Sequence, residues 1–180
     1  MNGVNNGAIG PAENPKMVAP VRLSDAIVNI LNARIGDEYE AHYFYNAASN
    51  WCAGTGYMKA AEFFAKESMA ELEHAKKLQQ YIIDWNCMPT IPTVNTSWDF
   101  VNLPEAIADA YNIELKLFNN YHKDSAQIFG IDLATFDFLQ EFRMLQTESV
   151  KEYSDLLNGL QLIDITSRLD ILHFEEIYMA

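Results

Sequence analysis

The stretch ESMAELEHAKKL, residues 67–78, decides how the chain folds. Its apolar residues recur with the period of a helix. Steps of seven through it run Phe64, Glu71, Leu78 and Trp85, so a glutamate stands where its neighbours are large and apolar. His74 follows three residues later, one turn along the same face. A carboxylate inside a core is costly unless it is paired or binds a cation. The stretch therefore asks for partners elsewhere in the chain.

Working outward from it, the periodicity predicts four long helices. The first runs from Leu23 to about Asn50 and opens on LSDA, where Ser24 can cap; AGTG, residues 53–56, breaks it. The second spans about Tyr57 to Trp85, the third starts near Pro104 and runs to about Ile128, and the fourth spans about Leu133 to Leu160. A short amphipathic segment from about Thr166 to Tyr178 closes the chain. No segment shows the strict alternation of a strand, so the fold is expected to be all-α. Short connections join the first helix to the second and the third to the fourth. The link NCMPTIPTVNTSWDFVN, residues 86–102, has two prolines and cannot continue a helix. Two hairpins joined by one long crossover make a four-helix bundle, with the last segment as a short C-terminal fifth helix.

Each long helix carries one polar residue in a heptad line of apolar and aromatic ones. The lines are Leu31, Glu38, Tyr45, Cys52; then Phe64, Glu71, Leu78, Trp85; then Ile107, Glu114, Tyr121, Ile128; and last Leu139, Gln146, Tyr153, Leu160. Glu38 and Glu71 stand 33 apart, Glu114 and Gln146 stand 32 apart, and the two halves are offset by 76 and 75. Two hairpins of the same design bring all four groups to one level of the bundle. Three core glutamates with no lysine or arginine among them call for a cation. A bundle meets that need with a dinuclear site built from single glutamates and Glu-x-x-His pairs. The first half has the full set in Glu38, Glu71 and His74. The second half has Glu114 and then QTES, residues 146–149, with an amide and a hydroxyl where acid and imidazole are wanted. One ion is therefore expected to be held more tightly than the other.

The rest of the sequence bounds the reading. At 180 residues the chain is expected to form one domain over residues 21–180, with residues 1–20, rich in Gly, Asn, Pro and Ala, as a flexible N-terminal arm. The net charge of −13, from 12 Lys+Arg against 25 Asp+Glu, argues against nucleic acid as a partner. No apolar run is long enough to span a membrane, so none is expected as a partner either. The first twenty residues lack the charged and apolar regions of a signal peptide, and two cysteines make no disulfide framework. A reducing, cytoplasmic location is the expectation.

From Leu23 to Leu160 the chain resembles a non-haem, bacterial-type ferritin. EYEAHYFYNAASNWC in the first helix is similar to the family's stretch with a glutamate, a tyrosine seven residues on and a Trp-Cys behind it. ELEH matches the ferroxidase Glu-x-x-His, YNIE the third-helix glutamate and LQTES the fourth-helix glutamine. The resemblance implies an iron-storage protein with ferroxidase activity, oxidising Fe(II) with O2 or H2O2 and keeping ferric mineral inside a homo-oligomeric shell of twenty-four subunits. It implies two irons per subunit. Glu38, Glu71 and His74 hold the first, Glu71 bridges to the second, Glu114 completes that one, and Gln146 lies beside it as a weak ligand or neighbour. Tyr45 is implied as a hydrogen-bond donor and electron donor at the centre.

The chain also departs from its relatives. Ser149 and Ala70 stand where some bacterial members have acids, so a third, inner-surface iron site looks incomplete. Leu72 follows the motif glutamate where bacterioferritins place a haem-ligating methionine, so no haem is expected. The alternatives are another diiron bundle oxidase or peroxidase, rubrerythrin-like or bacterioferritin-like, and a shell protein with a weakened site. His42, His122 and His173 are read as packing or surface residues.

Overall fold

The computed structural model describes residues 19–180, so the arm expected over residues 1–20 falls almost wholly outside the described part. Five helices follow one another: α1 (Asp25–Thr55), α2 (Met58–Asp84), α3 (Leu103–Ile128), α4 (Leu133–Leu160) and α5 (Arg168–Tyr178), with no strand among the described residues. The all-α fold with a short fifth helix is thus as expected.

Local chemistry explains where most of the helices start. Ser24, Asn102, Asp132 and Ser167 are extended and accept from the backbone N–H three residues on, at 3.4, 2.8, 3.0 and 3.3 Å. Pro104 sits in the first turn of α3, where its missing N–H costs nothing. The end of α1 lies later than AGTG suggested. Gly54 is absorbed into the last turn, and the helix stops only at Gly56, whose φ of 94° is left-handed.

α1 packs along α2, α3 along α4, and α1 lies beside α3. The core between them is aliphatic and aromatic, with Leu31, Ile35, Phe44, Phe64, Leu78, Ile82, Leu103 and Leu139 all fully buried. The crossover link, residues 85–102, is irregular throughout. It is fastened to α1 where the Thr90 N–H donates to Asn32 at 2.9 Å. Nearby, the Pro92 ring sits so close over Gly36 that an added Cβ would come within 2.6 Å of it. α5 turns back over the bundle, burying Ile171 and Phe174. Among the described residues no helix is long and apolar enough to cross a membrane.

Candidate metal centre

The four midpoint residues are all buried, Glu38 beside Glu71 and Glu114 beside Gln146. Glu38 from α1, Glu71 from α2, Glu114 from α3 and Gln146 from α4 are each no more than 2% exposed. Ligand atoms of Glu38, Glu71 and His74 all lie within 4.8 Å of one another. His74 Nδ1 is 2.9 Å from Glu71 Oε2 and 3.7 Å from Glu38 Oε2. Gln146, with its amide nitrogen turned to donate, reaches Glu114 Oε2 at 3.1 Å and the Glu114 carbonyl at 3.2 Å. The amide thus holds the third-helix carboxylate in place. Ser149, by contrast, donates its hydroxyl back to the Leu145 carbonyl at 3.2 Å, a bond within its own helix.

Two tyrosines bound the centre, Tyr45 packed on Phe64 and Tyr153, and Tyr121 on Phe142. Tyr45 donates to Glu114 Oε1, and Tyr121 donates to Glu38 Oε1. The sequence singles out Tyr45, whereas Tyr121 reads there only as one more aromatic in its heptad line. The signal was there, since Tyr121 follows Glu114 by seven as Tyr45 follows Glu38. A third ring, Tyr153, stacks on Tyr45 with centroids 6.0 Å apart and planes 14° apart.

One basic side chain is buried close by in α1, which the sequence reading did not foresee. Arg34 is 8% exposed, but it pairs with Asp37 at 3.0 Å and Asp124 at 3.3 Å. Its charge is taken up there, one turn from Glu38. His42 stays away from the cluster as well, with Nδ1 2.7 Å from the Ser68 carbonyl. His122 and His173 are exposed.

The electrostatics follow from burial without a lysine or arginine partner among the described residues. Desolvation and the neighbouring Glu38 charge lift the Glu71 carboxyl well above its ordinary value. Burial also lifts Glu114, to about 7, against the lowering effect of the Tyr45 hydrogen bond. Burial presses Glu38 the same way, yet the neighbouring His74 imidazole and Glu71 carboxyl, with the Tyr121 hydroxyl, keep it below the ordinary carboxylate range. His74 loses hydration, but the facing carboxylates of Glu38 and Glu71 carry its imidazole up to about 10. The raised groups thus favour their protonated forms. Glu38 Oε2 is nonetheless buried with no hydrogen-bond partner among the described residues. A donor set of hard oxygens with one imidazole, one oxygen of it unsatisfied, fits a divalent first-row metal.

His74 is the exposed member of the set, its side chain at 20% against 0 and 2% for Glu38 and Glu71. It forms part of a recess of about 590 Å³ between α2 and α4, lined also by Glu73, Lys77 and Glu141. Lys77 and Glu141 pair at 2.5 Å, linking the two helices beside that opening.

Comparison with known proteins gives a consistent picture. The Ferritin-like domain profile matches residues 28–163. A probable bacterial non-heme ferritin-like protein of Haemophilus influenzae is 25% identical over 143 residues, 78% of this chain and 87% of that one. A bacterial non-heme ferritin of Staphylococcus aureus is 27% identical over 159 residues, covering 86% and 95%. Among solved structures, an open pore ferritin from the hyperthermophilic archaeon Archaeoglobus fulgidus is similar with a TM-score of 0.79. Its identity is 21%, over 87% of this chain and 98% of that one, so the likeness is one of fold.

Proposed function

This chain belongs to the ferritin-like domain family, and we propose that it is an iron-storage ferroxidase. It takes up ferrous iron at the centre between its four helices, oxidises it with dioxygen or hydrogen peroxide, and keeps the ferric product inside a shell of its own copies. The observation that carries this reading is that Glu38, Glu71 and His74 bring ligand atoms within 4.8 Å of one another, with buried Glu114 near enough to feel the Glu38 charge and no lysine or arginine paired to them among the described residues.

Iron is the substrate here, and the residues divide the work of holding it. Glu38, Glu71 and His74 take the first ion, and Glu71, facing both neighbours, is shared with the second. Glu114 completes the second position, with Gln146 fixing the orientation of its carboxylate. Two ferrous ions side by side release two electrons together, the number that converts dioxygen to peroxide or peroxide to water. The protons held by Glu71, Glu114 and His74 leave as the ions arrive. The second position has fewer donors of its own, Glu114 alone against Glu38 and His74, so it binds its ion more weakly and lets it go after oxidation. That asymmetry suits a store, which must pass product on. It distinguishes this chain from a bundle oxidase with Glu-x-x-His in both halves.

Aerobic addition of ferrous iron tests the proposal. The wild type is expected to show a fast oxidation phase, and Glu71→Ala to slow it by at least about tenfold, since the shared ligand is gone. Equal rates in the two proteins would remove the ferroxidase assignment.

A further inference from the structure

The contacts of Tyr45 and Tyr121 are mates under the internal repeat. Glu38 and Tyr45 become Glu114 and Tyr121 on adding 76, so each half of the bundle hands a phenol to the other half's glutamate. At Glu38 the consequence is specific. Oε1 is taken by the Tyr121 hydroxyl, while Oε2 has no hydrogen-bond partner and lies 3.7 Å from His74 Nδ1. One oxygen is occupied and the other is aimed at the Glu71–His74 pair.

We propose that Tyr121 is a positioning residue that ties up one oxygen of Glu38, so that Glu38 offers a single oxygen to the first metal. This rests on the reading of the centre as a metal site. The ring is held independently of its hydroxyl: Tyr121 is fully buried and stacked on Phe142, centroids 5.2 Å apart and planes 19° apart. Tyr121→Phe therefore keeps the ring and removes only the donor. A buried carboxylate oxygen left without a donor is costly. With a cation in place, the freed Oε1 turns to it and Glu38 binds through both oxygens. The first ion gains a ligand atom, and an open position is lost.

Anaerobic titration of the full-length protein with Co(II), which dioxygen chemistry does not disturb, reads this directly. The visible absorption of Co(II) weakens as its coordination number rises. The first equivalent is expected to show lower molar absorptivity in Tyr121→Phe than in the wild type. Tyr45→Phe, which frees a Glu114 oxygen instead, should leave the first equivalent unchanged and alter the second. A merely structural role for Tyr121 would shift the unfolding midpoint and leave both spectra as they are; superimposable spectra at equal stoichiometry overturn the proposal. Wild-type protein that binds no cobalt at this centre overturns the metal reading and this one with it. Should Tyr121→Phe fail to fold, a structure of the wild type with Co(II) decides: Glu38 bound through both oxygens refutes the proposal, and one oxygen on the metal with the other on Tyr121 supports it.

Discussion

Burial presses every carboxylate of the centre towards its neutral form, and the groups answer in ways that give the metal-free protein a definite response to pH. Glu114 is raised from 4.5 to about 7, so the folded chain keeps a proton that the unfolded chain has released; stability falls as pH rises through that window. His74 is raised from 6.5 to about 10, and its contribution, complete below 6.5, is lost as pH climbs through about 10. Glu38 is lowered and works the other way, its contribution vanishing only as pH falls through its folded value. Denaturant melts of the metal-free protein should therefore show stability falling between about pH 5 and pH 10 by a few kcal/mol. Saturating zinc should flatten that slope, because the cation replaces the protons; a metal-free protein that gains stability over the same range would contradict the account. At this scale the buried glutamates are legible because a glutamate in an apolar heptad line is conspicuous. Tyr121 was not, since an aromatic ring in the same line reads equally well as filling, and only its contact with Glu38 separates the two roles. Spacing places Ser149 one turn from Gln146, but a serine inside a helix can satisfy itself on the carbonyl four residues back, as Ser149 does on Leu145.

Of the five helices, α2 alone begins without a side-chain cap of its own. Its N-terminus is capped from α5, where buried Glu175 accepts from the Ala60 N–H at 3.0 Å. A carboxylate at that end also meets the positive pole of the helix. Glu175→Ala should cost about 1–2 kcal/mol and loosen α5 from the bundle, seen as a lower unfolding midpoint and faster proteolysis near residue 168. An unchanged midpoint would mean that the contact contributes nothing. The crossover is pinned in a different way, by the Pro92 ring against Gly36. Gly36→Ala forces the proline ring or the helix to move and should cost about 1–3 kcal/mol, measured by the same melts. Helix starts are local matters: Ser24, which the sequence offers as a cap, and Asn102, Asp132 and Ser167 each act within one turn of themselves. The Glu175 cap and the Gly36–Pro92 contact join residues distant in sequence, and no local pattern announces them.

The whole molecule is a bundle built twice: α1–α2 and α3–α4 repeat one design, and the crossover sets the second hairpin beside the first. That repetition made the fold legible, since the offset of 76 places Glu38 with Glu114 before any contact is known. What the repeat does not convey is assembly, which depends on surfaces with no partner in a single chain. α5 shows Leu169 at 75% and Leu172 at 41% exposure on a helix whose Phe174 is buried. In the proposed shell these leucines meet neighbouring copies. Leu169→Glu with Leu172→Glu should therefore reduce a large particle to small species in sedimentation, while the unfolding midpoint of the subunit moves little. Particles of wild-type size would show that this face is not an interface. The central claim, however, is that one centre built by all four helices holds two ferrous ions unequally. Anaerobic calorimetric titration with ferrous iron tests it most directly. The account expects two binding steps, about two ions per chain in all, with the tighter step lost in Glu71→Ala. A wild type that binds no iron, or a Glu71→Ala variant that still binds both ions with unchanged affinity, would contradict it.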